Sequence, residues 1–531
     1  MRYSRLFAAG LTTAVVLVAM FDWSGPSSAQ TQTAAAAAQV EPLGQPCIAM
    51  TDPFKGRMAG ADLPPGLLPV GDDDKSAILK SGLPCQERVS PGGPEAIGLD
   101  NLQRGFDFYS WRTFIAMNSP ADGSPIGQSQ PDSPTRWEDM NNFKQLLDVM
   151  LPADMGPPKW PSDRAQMEAE KVRLMPPACR VRYKPGMMVV KMIEESYNEP
   201  FKTGPLIDQK GRYAIFDILM NRRMFDYISN NNLFSKKGQQ SRANFGLAVD
   251  FPVGQNPDPA KGIAGDVGAF MLKVSWKILA PEEIKARNFH MVNALVSMPK
   301  SDDPKAPPPP CLQETLGLIG FHAVHKTASR PQWIWTSFEH VRNVPDKDEV
   351  AAGKFDGPYS FYDINCRDNC AKVNATPPRP WTPDPALQLK FRKNVEFKSQ
   401  IVREIPLTNA TKNMNTVFHS MLHGTVWENY MLLSTQWPSA FGCTSLHSQS
   451  FDAPAPKTDF LKQPDMTCSP APTFLANSTL ETYSQGDIPQ ASSSCIGCHG
   501  NAVSFQTGSN PKPGQVRLNQ SDFTFMLEKA Q

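Results

Sequence analysis

The sequence Cys495-Ile496-Gly497-Cys498-His499 lies near the C-terminal end of this 531-residue chain and constrains its fold more than any other feature. Cysteines three positions apart share one turn of a helix, and the histidine follows directly. This C-x-x-C-H spacing is the attachment signature of c-type haem, in which both thiols bond to the porphyrin and the histidine binds its iron. We therefore expect one covalent haem c, held by Cys495 and Cys498 and ligated by His499.

The position of the motif also constrains the rest of the fold. Small c-type cytochromes carry the motif near the start of their haem domain, but here the chain continues only to Gln531. The residues that follow His499 are too few to enclose a porphyrin. We expect a haem-attachment segment, residues 471–531, whose pocket is completed by residues from the long preceding body.

Three other interpretations of the motif are weaker. A thioredoxin-like redox pair would need a β-α-β context, which the polar residues around the motif do not provide. A structural zinc site would need further ligands, usually a second pair of cysteines nearby. A disulfide between Cys495 and Cys498 would leave His499 without a role.

Residues 1–29 have the pattern of a secretory signal peptide. Arg2 and Arg5 precede an apolar stretch from Leu6 to Met20, and small residues follow before Gln30. The apolar stretch is shorter than the roughly 20 residues that a membrane-spanning helix needs. We therefore expect cleavage, a periplasmic or secreted protein, and no stable insertion into a membrane.

The composition limits the kinds of partner and of fold that we expect. The net charge of +1 gives no basic excess of the kind that nucleic-acid-binding proteins use, so we expect no nucleic-acid partner. The chain has 51 prolines, about twice the usual share of roughly 5%. Proline interrupts regular elements, so we expect many loops and short helices and strands.

Eight cysteines lie outside the motif, and an exported chain favours their pairing in up to four disulfides. We expect two local pairs, Cys366–Cys370 and Cys443–Cys468. The spacing of Cys366 and Cys370 also resembles a binuclear copper site, but Asn374 stands where that pattern has a histidine, so a disulfide is favoured. The other four are Cys47, Cys85, Cys179 and Cys311.

Hydrophobic periodicity predicts an α+β fold. Residues 107–117 have the spacing of an amphipathic helix, and helical spacing returns at residues 409–423. From Phe270 to Ile278 apolar residues alternate strictly with others, which is typical of a half-buried strand. Extended segments that could pair with it predict a central antiparallel sheet across roughly residues 265–340 with flanking helices. These segments are residues 289–296, 316–325 and 333–338. Residues 428–437 are also predicted to be extended.

The predicted organisation has four parts: the signal peptide (1–29), a low-complexity, weakly ordered arm (30–95), a globular α+β body (96–470), and the haem-attachment segment (471–531). Within the last part, Ser478-Thr-Leu-Glu481 is a capping box, which predicts the start of a short helix before the haem motif.

Four stretches together resemble a known family: FDFYSWRTFIAMNSP (106–120), LGLIGFHAVHKTASRPQWIWTSFEHVRNVP (316–345), WENYMLLSTQWP (427–438) and residues 477–499. They are similar to large, exported, single-haem bacterial proteins labelled as cytochrome c family, over about residues 100–531. The resemblance implies an electron-transfer haem protein. Its residue-level implications extend only to the haem-binding Cys495, Cys498 and His499.

The sequence leaves the second axial ligand of the iron open, including the option that there is none. Met526 is one candidate, because a thioether ligand would raise the reduction potential, although core packing is its simpler role. His322 and His325 lie in an apolar strand, where most histidines are satisfied core groups. His419 and His423, four residues apart on the polar side of a helix, could bind iron or a second metal, or face solvent.

Three functions agree with these observations. The first is single-electron transfer, alone or as part of an oxidoreductase, with a redox partner protein or a small-molecule electron donor or acceptor. The second is a peroxidase- or oxygenase-like haem enzyme with an open distal iron site, for which His325 and Arg330 are candidate distal groups. The third is a haem sensor or binding protein. The sequence assigns no catalytic residue and leaves open whether the protein is an enzyme.

Overall fold

The computed structural model describes residues 47–50, 72–79, 82–87, 99–127, 134–299, 308–368, 370–391, 397–439, 470–486, 493–504 and 520–531. The predicted signal peptide and the predicted Cys443–Cys468 pair lie outside these ranges. Within them, no helix is long and apolar enough to cross a membrane.

Nine of the eleven strands in the described ranges form one sheet. The strands are β1 (Cys47–Ile48), β2 (Leu83–Pro84), β3 (Phe143–Gln145), β4 (Met188–Lys191), β5 (Ile215–Asn221), β6 (Phe270–Ile278), β7 (Met291–Ser297), β8 (Cys311–His325), β9 (Ile334–His340), β10 (Tyr430–Pro438) and β11 (Pro470–Ala471). The order in the sheet is β11-β10-β9-β8-β6-β5-β3, with β7 and β4 branching from β8. Neighbours are antiparallel except β4 and β7. The predicted α+β fold with a central antiparallel sheet is confirmed.

Strand β6 occupies the residues that the alternation predicts, but its environment differs from the prediction. It is buried on both faces rather than one, and Lys273 is its only half-buried residue. Strand β6 pairs along its whole length with residues 316–325 of β8, as predicted. The segment predicted as a partner at residues 289–296 instead pairs, as β7, with β8.

Ten α-helices occur among the described residues. They are α1 (Asp72–Leu79), α2 (Leu99–Asn118), α3 (Arg164–Leu174), α4 (Pro177–Arg180), α5 (Arg222–Asn230), α6 (Lys236–Asn244), α7 (Pro281–Ala286), α8 (Lys347–Ala352), α9 (Asn409–Leu422) and α10 (Cys495–His499). The helices predicted at residues 107–117 and 409–423 are confirmed as α2 and α9. Because Trp111 of α2 stacks on Phe418 of α9 and meets Phe338 of the sheet edge-on, α2 is buried between the sheet and α9.

The two faces of the sheet are covered by different parts of the chain. On one face, which we call the α2 face, Phe321 and Phe338 pack against Phe114 of α2. The opposite face, which we call the site face, carries the alternate residues of the same strands and is covered by residues 470–486, 493–504 and 520–531. A Cβ atom at Gly320 would lie 2.4 Å from the Thr479 hydroxyl oxygen, so glycine is required for this close approach.

Three parts of the predicted arm are described, and they pack against the body. Strands β1 and β2 pair in parallel and are joined by the Cys47–Cys85 disulfide. Glu87 is buried and accepts a hydrogen bond from the Thr327 hydroxyl at 2.8 Å.

The described residues contain three disulfides, which confirms the expectation of disulfide bonds. The predicted local pair Cys366–Cys370 is one of them. Cys47–Cys85 and Cys179–Cys311 join cysteines that are 38 and 132 positions apart, and the sequence did not indicate either pairing.

Candidate haem-attachment site

The C-x-x-C-H motif forms the single-turn helix α10, so both thiols and the imidazole project from one turn. The helix begins after Ser494, whose hydroxyl accepts a hydrogen bond from the Gly497 N–H at 3.2 Å. Cys495 and Cys498 are free thiols, although the other described cysteines are all paired. Cys495 and Cys498 are therefore not joined by a disulfide, which was one of the alternative interpretations of the motif.

The imidazole of His499 is held in one orientation by the C-terminal segment. Its Nδ1–H donates to the Phe523 carbonyl at 2.8 Å. The ring packs against Trp335, at 4.4 Å between centroids, and against Phe525, at 5.1 Å. Burial lowers the pKa of His499 to about 4, so the ring is neutral at physiological pH. With Nδ1 protonated, Nε2 carries the lone pair, which is the arrangement that metal-ligating histidines adopt.

The carbonyl that orients His499 belongs to an unusual stretch of backbone. Asp522 and Phe523 both have left-handed conformations, with φ of 50° and 63°. Such residues cost about 1–3 kcal/mol each and persist where surrounding contacts fix them. The Asp522 carbonyl accepts from the Trp333 indole N–H at 3.0 Å, and its carboxylate accepts from the Phe251 N–H at 2.8 Å. These bonds fix the turn that directs the Phe523 carbonyl at His499.

Gln436 of β10 joins the motif to the sheet. Its side-chain amide donates to the Pro472 carbonyl at 2.7 Å, and its side-chain oxygen accepts from the Ile496 N–H at 2.8 Å. The Ile496 side chain enters an apolar cluster that includes Trp335 and Met526. The motif helix is therefore fixed at its backbone by Gln436 and at its apolar side by the cluster.

The thiols do not have the properties of a redox-active pair. Burial raises the pKa of Cys498 to about 12, and it raises the pKa of Cys495 well above its ordinary value. Thioredoxin-like cysteines need the opposite, a thiol with a lowered pKa. Over the part of the chain that the structure describes, no three histidine, cysteine or acidic side chains are grouped as a metal site, so the structure supplies no complete ligand set for structural zinc.

His325, a candidate both as iron ligand and as distal group, lies on the α2 face. Its Nδ1 accepts a hydrogen bond from the Tyr109 hydroxyl, and its Nε2–H donates to the Val267 carbonyl. Arg330 lies over the ring of Phe106 of α2, at 5.3 Å. Because both ring nitrogens of His325 are engaged on the face opposite His499, this pair does not form the distal site that the sequence suggested.

Loss of stability in mild acid is expected from His325. Burial lowers its pKa to about 4, whereas an unfolded histidine titrates near 6.5, so the unfolded chain binds the proton first as the pH falls. Between pH 6.5 and 4.5 this should remove about 2 kcal/mol from the free energy of unfolding. Urea denaturation at several pH values measures this loss. In His325→Gln the free energy of unfolding should fall by that much less than in the wild type over the same pH interval. His423→Gln, which changes an exposed histidine, is the control. If the free energy of unfolding depends equally on pH in the wild type and in His325→Gln, His325 is not the source of the loss in acid.

The surroundings of three further candidates, His419, His423 and Met526, differ from one another. His419 donates from Nε2 to the Tyr430 carbonyl at 2.8 Å, and its ring meets Trp111 edge-on. His423 is exposed, with its Nδ1 2.9 Å from a Glu428 carboxylate oxygen. These two histidines line an open surface cavity of about 560 Å³, but they are not grouped with further ligands as a second metal site. Met526 is buried in the apolar cluster that also contains Trp335 and Ile496.

His322 is the candidate on the site face. Strand alternation puts it opposite His325, and its pairing partner across the ladder is Ser337 of β9. It is 7% exposed, and its Nε2 has no hydrogen-bond partner among the described residues. The nearest acidic oxygen, on Glu481, is 3.4 Å from Nε2, outside hydrogen-bonding geometry. Burial lowers the pKa of His322, which favours the neutral ring.

Glu481 and Lys273 complete the polar part of the site. The Lys273 amine is 3.6 Å from a Glu481 carboxylate oxygen, and β6 pairs Lys273 directly with His322. Both charges act on His322 and on His499. The roles of Glu481, Gln436 and Phe523 were not predicted from the sequence. Lys273, one of two lysines in the mostly apolar strand β6, was an available signal.

Comparisons of the chain with models of protein families, with curated proteins and with solved structures find no significant match. The interpretation of the site therefore depends on its own geometry. Two free thiols on one helical turn and an adjacent neutral imidazole with Nδ1 engaged fit the donor chemistry of a covalently attached haem.

Proposed function

We propose that the protein is an exported c-type cytochrome that carries one covalent haem and transfers single electrons. Cys495 and Cys498 would form the thioether bonds, and His499 would bind the iron through Nε2. The observation that carries the proposal is the hydrogen bond from His499 Nδ1 to the Phe523 carbonyl beside two unpaired thiols.

The side chains around the motif have definite tasks in this function. Haem, when bound, supplies a one-electron carrier, while the protein sets its ligand strength and environment. The Phe523 carbonyl makes His499 a stronger donor by accepting its Nδ1–H. Trp335 and Phe525 pack on the imidazole and exclude water from it. Gln436 holds the motif helix at a fixed position on the sheet.

The proposed location is the periplasm or the extracellular space. Three disulfides support an oxidising compartment, since cytosolic thiols stay reduced. The signal-peptide pattern of residues 1–29 supports the same location. The proposed partner is a redox protein or a small-molecule electron donor or acceptor.

Covalent haem attachment tests the proposal directly. After production in a host that matures c-type cytochromes, the denatured wild type should retain its haem through acidic acetone extraction. The Cys495→Ala/Cys498→Ala variant should lose it. Cys366→Ala/Cys370→Ala, which removes another pair of cysteines, one half-buried and one exposed, is the matched control and should retain haem. Free extraction of haem from the wild type, or retention by the motif variant, would contradict the proposal.

A haem enzyme with an open distal site is the second candidate. His322, Glu481 and Lys273 on the site face are the polar groups that could serve peroxide or oxygen chemistry. An enzyme of this kind should bind carbon monoxide fully when reduced and turn over peroxide with an electron donor. An electron carrier with both axial positions filled should do neither.

A further inference from the structure

We propose that His322 is the second axial ligand, so that the iron is held between His499 and a histidine from the central sheet. This inference rests on the proposed function and adds the residue that closes the iron to external ligands. It makes the body of the protein, rather than the C-terminal segment, the source of half of the axial coordination.

The first argument is position. Val324 pairs with Trp335 across the β8–β9 ladder, and the ring of Trp335 packs on His499. His322 lies two residues before Val324 on the same face, a step of about 7 Å along the strand. The sheet therefore presents His322 beside the residue that contacts the motif histidine.

The second argument is an unused nitrogen. Buried polar atoms in native proteins nearly always have a hydrogen-bond partner, and exceptions call for an explanation. Within the described residues the Nε2 of His322 has none, although the side chain is almost fully buried. Glu481 does not satisfy it, because the 3.4 Å contact lacks hydrogen-bonding geometry. Neutral imidazole nitrogen is the commonest metal ligand in proteins, so a metal ion would account for the unused nitrogen.

The third argument compares the alternatives. His325 and His419 have their Nε2 atoms bonded to backbone carbonyls. His423 is exposed and lies beside Glu428. Met526 packs in the apolar cluster with Trp335 and Ile496, where core packing accounts for its side chain. Of the four candidate histidines, only His322 is both buried on the site face and without a hydrogen-bond partner at Nε2 among the described residues.

Spectroscopy of the haem-loaded full-length protein tests the ligand. The ferric wild type should be low-spin and six-coordinate, and the reduced protein should change little on addition of carbon monoxide. His322→Ala should become high-spin when ferric and should bind carbon monoxide when reduced. Added imidazole should restore the low-spin spectrum of this variant, because it replaces the missing side chain.

A second variant is needed in case His322→Ala does not fold into a stable, haem-loaded protein. His322→Met retains a ligand, so it should show the methionine–iron charge-transfer band and a raised reduction potential. His423→Ala is the control and should keep the wild-type spectrum. A low-spin spectrum unchanged in both His322 variants would overturn the inference, and so would a wild type that is high-spin and binds carbon monoxide fully. In either case haem that stays covalently attached would leave the cytochrome proposal standing, whereas extractable haem would defeat that proposal instead.

Discussion

Glu339→Gln is expected to lower the free energy of unfolding by about 3 kcal/mol. Glu339 is fully buried in β9, where one carboxylate oxygen accepts from Arg403 at 2.9 Å. Glutamine has nearly the same shape but no charge, so the buried guanidinium loses its main counter-charge. Breaking a buried ion pair costs about 3–5 kcal/mol, and the low end applies because Asp346 still contacts Arg403.

The same substitution should disturb the haem site. The second oxygen of Glu339 accepts from the Ser478 N–H at 3.2 Å and from the Ser478 hydroxyl. This contact ties the segment that precedes the motif to the sheet. We therefore expect the visible haem absorption of Glu339→Gln to weaken on heating at temperatures where the haem absorption of the wild type does not change.

Urea denaturation followed by circular dichroism measures the stability change, and a double variant identifies its cause. Glu339→Leu/Arg403→Met removes both charges, and apolar replacement of a buried pair is often nearly neutral. The double variant should therefore be more stable than Glu339→Gln. If both are equally destabilised, the loss comes from the Ser478 contact rather than from the unpaired guanidinium.

Local patterns predicted the elements well because they depend on residues close in sequence. The alternation from Phe270 to Ile278 gave both ends of β6, and helical spacing gave α9 to within one residue. The burial of β6 was not predictable in the same way. Its second face is covered by residues that follow some 200 positions later, as the Ser275–Thr479 hydrogen bond illustrates.

The capping box at Ser478–Glu481 shows how tertiary contacts override a local signal. The predicted helix does not begin there, and only a 3₁₀ turn, Thr482–Ser484, follows. The Ser478 hydroxyl donates to Glu339 instead of capping a helix. Glu481 accepts from the Asn477 N–H at 3.1 Å and faces His322. A buried acceptor on the sheet thus competes successfully for the serine.

The candidate site was predictable only where its residues are adjacent in sequence. Cys495, Cys498 and His499 form a contiguous motif, whereas Phe523 and Gln436 reach it from distant elements. His322 and His325 could have been separated, because an odd spacing along a strand puts side chains on opposite faces. That separation matters for function, since only one of the two faces the motif.

Asp522→Asn is expected to lower the free energy of unfolding by about 3 kcal/mol, with the backbone conformation preserved. The Asp522 carboxylate contacts the buried Lys326 amine, whose other partner, Asp250, is largely exposed. Asparagine tolerates the left-handed conformation of residue 522 well, so the variant removes charge without adding strain. Asp250→Asn is the matched control and should cost less than about 1 kcal/mol, because its carboxylate is exposed to solvent.

Asp522→Ala separates the effect of the lost charge from the effect of the left-handed turn. Alanine removes the same charge, adds the left-handed penalty of about 1–2 kcal/mol and also leaves the buried Phe251 N–H without its acceptor, so it should be less stable than Asp522→Asn by at least that penalty. The turn directs the Phe523 carbonyl at His499, so the alanine variant should also change the haem spectrum more strongly. Covalent attachment should persist in both, because the thiols are untouched. If Asp522→Ala and Asp522→Asn have equal stability and equal spectra, the left-handed turn does not orient the iron ligand, and the indole of Trp333 must hold the carbonyl without it.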